Sequence, residues 1–159
     1  MEKKKTENKK EDKKPEKNDK KLLVVIRISG MVKVNYNIEN TLDRLRLRRK
    51  YACVLVYPNK KDVVGMLEKV KFYVAYGEIK EETLIKLLKA RGQKPEKESF
   101  NAVKVAEDLM KGRTLKELGL KSFFRLHPPR KGIRSKLQYP KGVLGNNKQD
   151  INKLIERML

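Results

Sequence analysis

The chain has 159 residues, enough for one globular domain, and a formal net charge of +21 that makes a polyanion the first expected partner. Ten lysines and six acidic residues give the first 21 residues only +4, so +17 lies on the other 138 residues. A single cysteine and a single histidine exclude a disulfide framework and the usual zinc sites, and the longest apolar run, Tyr51 to Tyr57, is too short to span a membrane.

These exclusions predict a cytoplasmic protein without a metal. Nucleic acid is a stronger candidate partner than an anionic membrane surface, and the N-terminus lacks the apolar stretch of a secretory signal. Residues 1–21 contain no apolar side chain after Met1 and are predicted to form a disordered tail. The tail either keeps the protein solvated or tethers it loosely to a polyanion, and both roles stay open.

Residues 22–79 alternate between the sequence patterns of strands and helices. Apolar and β-branched residues predict strands at 22–29, 51–57 and 71–77, while apolar positions three or four residues apart predict helices at 38–48 and 61–70. Asn37 is the expected N-cap of the first helix. The predicted fold is α+β. A small sheet with antiparallel pairs is built on a strand-helix-strand-helix-strand unit, and both helices lie on one face, so the sheet is half covered.

Residues 80–159 are predicted to extend this core within the same domain. Helical patterns at 81–90 and 100–111 flank a polar linker at 92–99, and Thr114 with Glu117 forms a capping box. Residues 122–126 make a fourth strand that is expected to pair with the sheet. Asp150 is the expected cap of a short C-terminal helix whose apolar face docks on the core.

The stretch from Leu118 to Gln149 carries eight lysines and arginines and no acidic residue. So many like charges repel one another, which favours an anionic partner over the alternative of a solvated loop with scattered charges. Because a strand precedes the stretch and a docked helix follows it, we expect an anchored loop. Three of its glycines, Gly132, Gly142 and Gly145, allow the backbone to approach phosphates closely. The candidate RNA-binding residues are Arg125, His127, Arg130, Lys131, Gly132, Arg134, Lys136 and Lys141.

Three further arginines, Arg46, Arg48 and Arg49, end the first predicted helix together with Arg44. They either complement the helix dipole in solvent or form a second RNA-binding patch, and the sequence leaves this open. His127 has three conceivable roles, as a general base, a stacking ring or a positioned hydrogen-bonding group. Its neighbours include no carboxylate or serine to complete a relay, so a contact or structural role is favoured.

Tyr139 and Cys53 are the remaining candidates for a functional role. Tyr139 is expected either to stack on an unpaired base or to pack against the prolines of its own loop. Cys53 alternates within an apolar strand, which favours a buried small hydrophobe over a reactive thiol. The chain thus offers no convergent set of titratable groups for an enzyme.

Four segments carry a family resemblance. They read LLVVIRISG at 22–30, TLDRLRLRRKYACVLV at 41–56, GMLEKVKFYVAYGEI at 65–79 and TLKELGLKSFFRLHPPRKG at 114–132. With these segments, and above all with the RLHPPR motif at 125–130, the chain resembles the large-subunit ribosomal protein family L-thirty in its archaeal long form. The similarity covers residues 22–159, of which 22–79 correspond to the short bacterial members.

The resemblance implies a structural constituent of the large ribosomal subunit, without catalysis, a cofactor or a small-molecule substrate. It also implies contacts with large-subunit ribosomal RNA, with 5S ribosomal RNA and with neighbouring large-subunit proteins. A-form RNA hides its base edges, so recognition is expected to rest on shape and phosphate positions. The alternatives are a non-ribosomal RNA-binding adaptor, an RNA-processing enzyme and a protein that binds acidic membranes.

Overall fold

A computed structural model describes residues 21–59, 61–94 and 99–159, so the predicted tail lies outside the described residues except for Lys21. The described chain alternates strands and helices in its first half, as predicted, and is richer in loops near its end. Its elements are β1 (Leu23–Arg27), α1 (Tyr36–Arg44), β2 (Ala52–Val56), α2 (Lys61–Val70), β3 (Val74–Glu78), α3 (Glu81–Arg91), α4 (Ala102–Met110), β4 (Phe124–Arg125), β5 (Gly145–Asn146) and α5 (Ile151–Glu156).

The sheet has five strands in the order β4-β2-β1-β3-β5. β1 pairs antiparallel with both β2 and β3, which confirms the predicted three-stranded unit, and β4 adds antiparallel to β2 as expected of the fourth strand. β5 was not predicted. It has two residues, runs parallel to β3 and lies inside the basic stretch, where Gly-Asn has no strand pattern.

The sheet is covered on both faces, so the expectation of a half-covered sheet is wrong. On one face, Val25 of β1 packs in a cluster with α1 and α2, which confirms that both early helices share a face. On the other face, Val24 and Ile26 pack with apolar residues of α3, α4 and α5. The reason was readable in the sequence, because β1 is apolar at every position from Leu23 to Ile26, which is typical of a strand buried on both faces.

The helix α1 is shorter than predicted and begins earlier. Its N-cap is Asn35, not Asn37, and the Asn35 side chain accepts a hydrogen bond from the backbone of Asn37. The helix ends at Arg44 because Arg46 adopts a left-handed conformation with φ of 59°. Arg46 then donates its backbone N–H to Asp43, and Leu47 donates to Leu42, which is the hydrogen-bond pattern of a Schellman motif. Arg46, Arg48 and Arg49 therefore lie beyond the helix, in a connector that leads to β2.

Two predicted caps differ in detail from the structure. Thr114 and Glu117 make the reciprocal hydrogen bonds of a capping box, but a turn follows them and not a helix. Asp150 stands at the N-cap position of α5 without a capping hydrogen bond from its side chain. Its carboxylate instead accepts hydrogen bonds from Lys153 and Tyr139. The helix still docks as predicted, with Ile151, Leu154, Ile155 and Met158 buried.

Candidate nucleic-acid interface

The connector between α1 and β2 and the short strand β4 form an open groove of about 660 Å³ lined with cations. The register that pairs Ala52 of β2 with Arg125 of β4 brings the two segments side by side. We call this surface the arginine groove. Its cationic residues are Arg44, Arg46, Arg48, Arg49, Lys50 and Arg125, and Phe123 forms part of its wall.

The charges of the arginine groove are largely unneutralised. Asp43 is the one carboxylate among the described residues that line it, and its oxygen lies 3.8 Å from Nε of Arg48. Arg46 donates to the hydroxyl of Ser122 at 3.0 Å, which orients its guanidinium without cancelling its charge. Arg125 is exposed, and its guanidinium carbon lies 5.8 Å from the centre of the Phe123 ring. The groove is therefore a concentrated positive site with an aromatic wall.

A buried arginine supports the connector from below. Arg27, at the end of β1, is 1% exposed and forms no ion pair among the described residues. Its Nη1 donates to the backbone oxygens of Leu47 at 2.7 Å and Arg48 at 3.0 Å. Its other nitrogens donate to Ser29 and Gly30. Burial lowers the pKa of this guanidinium, and the fields of Asp43 and Glu39 oppose the shift. Arg27 thus fixes the backbone that carries the groove arginines.

The segment between β4 and β5, residues 126–144, crosses from one edge of the sheet to the other. We call it the basic loop. At its start, the backbone N–H of His127 donates to Met158 at 3.0 Å and that of Arg130 donates to Arg157 at 2.9 Å. The Arg157 side chain returns hydrogen bonds to the backbone oxygens of Arg130 and Gly132. The loop is therefore held by the end of the C-terminal helix.

The far end of the basic loop is held by its own backbone and by a tyrosine. Tyr139 and Leu144 share a backbone hydrogen bond of 2.8 Å. The Tyr139 hydroxyl donates to Asp150 at 2.8 Å, which ties the end of its side chain to the start of α5. The hydrogen bond to Asp150 raises the pKa of Tyr139, while hydrogen bonds from Lys153 and then Tyr139 lower the pKa of Asp150.

The predicted loop residues are all exposed, but they do not form one site with the groove. Lys131, Gly132, Arg134 and Lys141 line a second open depression of about 540 Å³ together with Lys153 and Arg157, and Arg125 instead lines the arginine groove. His127, Arg130 and Lys136 are exposed beside these surfaces without lining either one.

The glycines of the stretch have different roles. Gly132 has φ of 67° and open space around it, as close approach to a phosphate requires. A side chain at Gly142 would collide with the backbone of Leu137, so Gly142 serves the fold of the loop itself.

Neither His127 nor Cys53 has the surroundings of a catalytic group. The His127 ring makes no hydrogen bond to another described residue. Cys53 is buried, and burial raises the pKa of its thiol. The described residues contain no cluster of three potential metal ligands, and none of their helices is long and apolar enough to cross a membrane.

Comparison with known proteins adds independent information. The family model described as Ribosomal protein L30p/L7e matches residues 23–74. A protein of Archaeoglobus fulgidus named large ribosomal subunit protein uL30 is 41% identical over 152 residues, covering 86% of this chain and 99% of its own. The chain belongs to the ribosomal protein L30p/L7e family. Proteins of the same name from Ignicoccus hospitalis and Nanoarchaeum equitans are 36% and 38% identical, and 99% of each is covered.

Family membership accounts for the absence of catalytic chemistry at the two surfaces, because ribosomal proteins of this family are structural and not enzymes. The relatives are archaeal, and their alignments cover most of this chain, well beyond the residues 23–74 that the family model matches. The long archaeal form expected from the RLHPPR motif is thereby confirmed.

Sequence patterns missed several residues that build these surfaces. The pattern around Lys153 and Arg157 predicts only an amphipathic helix, although their closeness to the acid-free stretch indicates that they share its positive surface. Arg27 lies in an apolar strand, and a lone cation in such a run signals a buried charge with backbone partners. Phe123 was assigned to a strand, and its place at the groove followed only from the pairing of β4 with β2.

Proposed function

We propose that the protein is a structural constituent of the large subunit of the cytoplasmic ribosome, and that it binds ribosomal RNA through the arginine groove and the basic loop. Two observations together support the proposal. The protein has two anchored, exposed cationic surfaces, and it belongs to a family whose members are named as proteins of the large ribosomal subunit.

The mode of binding follows from the chemistry of the surfaces. Guanidinium groups donate two parallel hydrogen bonds to a phosphate, and the groove holds five of them, at the end of α1, on the connector and on β4. The basic loop adds lysines on a backbone that α5 already holds, so little conformational entropy is lost on binding. Both surfaces suit phosphate positions in a folded RNA more than a base sequence.

We further propose that the two surfaces engage different RNA segments, one in the large-subunit ribosomal RNA and one in 5S ribosomal RNA. Their separation supports this, since the arginine groove is lined by the connector and β4, the depression at the basic loop is lined by the loop and α5, and the two share no lining residue. Neighbouring large-subunit proteins complete the environment. Residues 22–79 and 80–159 act as one domain in this proposal, because one apolar cluster draws residues from both.

The test is a set of binding isotherms for purified protein and transcribed large-subunit and 5S RNA at several salt concentrations. About six engaged cations predict a slope of log K against log salt of roughly −4 to −5. A groove variant (Arg46, Arg49 and Arg125 to Gln) and a loop variant (Arg130, Lys131 and Arg134 to Gln) should each lower that slope.

The matched control neutralises three exposed lysines outside both surfaces, on α3, on α4 and in the turn after α4: Lys89, Lys104 and Lys116. It should change the slope by less than either surface variant. Equal effects of all three variants would contradict the two-surface proposal. A loop variant that loses one of the two RNAs and keeps the other would support the proposal of separate RNA segments, and parallel losses of both RNAs would contradict it.

A further inference from the structure

Phe123 stands where two grooves meet. It lines the arginine groove and also a neighbouring groove of about 500 Å³, whose walls include Gln93 and Lys121. This neighbouring groove is separate from the depression at the basic loop. Arg125 lines both grooves as well, and its guanidinium carbon lies 5.8 Å from the Phe123 ring centre. Phe123 is only partly buried, although it packs on the core cluster beneath α1.

This arrangement exceeds what phosphate binding needs. Phosphates require cations and donors, which the connector already supplies, and an aromatic ring beside them adds nothing to that task. Unpaired bases stack on aromatic rings and on guanidinium planes, and here the Arg125 guanidinium lies over the Phe123 ring. Bases inside an A-form helix are already stacked, so only an extruded or single-stranded nucleotide can use the pair.

We propose that the Phe123–Arg125 pair is a stacking platform for an unpaired nucleotide of the bound RNA, whose flanking phosphates lie in the two grooves. Arg46 lines one of these grooves and Lys121 the other, and each meets a flanking phosphate there. The inference rests on the proposed RNA binding and specifies its ligand as a single-stranded segment at this site, in contrast to the phosphate contacts of the basic loop.

The experiment compares short oligoadenylate with an abasic oligomer of equal length, which keeps the phosphates and removes the bases. Stacking of one base predicts that wild-type protein prefers oligoadenylate by about 5- to 150-fold. Phe123→Leu keeps an apolar side chain on the core cluster and should reduce the preference to below about twofold with an unchanged salt slope. Arg125→Lys keeps the charge, loses the planar guanidinium and should also reduce the preference.

Phe72 provides a matched control, because it is an exposed phenylalanine with the Lys71 ammonium 5.4 Å from its ring centre and lies outside both grooves. Phe72→Leu should leave the preference intact. Circular dichroism establishes that each variant is folded. Equal wild-type affinities for the two oligomers, with binding still salt dependent, would overturn the platform and leave the proposed function standing. Loss of preference in Phe72→Leu would also overturn it, whereas absence of RNA binding altogether would overturn both proposals.

Discussion

Replacing Arg27 by methionine should test how the core supports the arginine groove. The change removes a buried guanidinium and leaves an unbranched apolar chain of similar length. Four backbone oxygens lose their hydrogen-bond donor. The hydrogen bond to the oxygen of Leu47 is buried, and the other three are partly buried. The connector that carries Arg46 to Lys50 should therefore loosen.

The magnitude follows from how exposed each orphaned oxygen is. An unsatisfied buried acceptor costs about 1–3 kcal/mol, and this applies to Leu47. The contacts with Ser29, Gly30 and Arg48 are partly buried, so water replaces the donor and each net loss is about 0.5–1 kcal/mol. Relief of the buried charge offsets part of the total. We expect a net loss of about 2–4 kcal/mol, or about 6–16 °C in Tm for a domain of this size.

The assay is thermal and urea unfolding followed by circular dichroism, with the exposed Arg49→Met as the matched control. Arg49→Met should lie within about 0.5 kcal/mol of wild type, as surface substitutions usually do. Arg27→Lys should also be destabilised, because one ammonium cannot span oxygens on both the connector and the end of β1. A Tm of Arg27→Met within 2 °C of the control would refute the supporting role of Arg27.

Three further predictions concern packing, reactivity and pH. Gly77→Ala should cost about 1–3 kcal/mol of unfolding free energy, because its new Cβ meets the backbone before α5, whereas Gly65→Ala, in open space on α2, should gain up to about 1 kcal/mol. Cys53 should react with a thiol reagent at pH 8 only in step with unfolding, and labelling of native protein within minutes would contradict its burial. Tyr139→Phe should raise the pKa of Asp150 in a carbon NMR titration. Because the folded-state pKa of Asp150 is lowered, this group stabilises the fold above its unfolded-state pKa, and that stability is lost as pH falls through the folded-state pKa. In Tyr139→Phe the folded-state pKa is higher, so the loss should occur at higher pH. An unchanged pKa of Asp150 would contradict this prediction.

Local patterns predicted the order of the elements because the apolar residues of each long element repeat with the spacing of a strand or of a helix. Strands β1 to β3 and helices α1 to α4 carry enough apolar residues to define a face. The end of α1 was misplaced because a left-handed arginine replaces the glycine that usually marks such an end. β5 could not be predicted, since two residues acquire strand geometry only through pairing with β3.

Charge density predicted the candidate RNA-binding residues, but not their grouping. Arg125 is close in sequence to Arg130, yet it belongs to β4, and the pairing of β4 with β2 places it in the arginine groove. The arginines after α1 could not be linked to Arg125 without knowing that β4 pairs with β2. The partnership of the basic loop with Arg157 likewise depends on where α5 docks.

Sedimentation of the protein with ribosomal subunits tests the central claim most directly. In a sucrose gradient of lysate at high salt, wild-type protein should migrate with the large subunit. A variant with Arg46, Arg125, Arg130, Lys131 and Arg134 changed to Glu should remain at the top of the gradient, while its purified form keeps the circular dichroism spectrum of the wild type. Wild-type protein at the top, or the folded variant in the large-subunit fractions, would contradict the account.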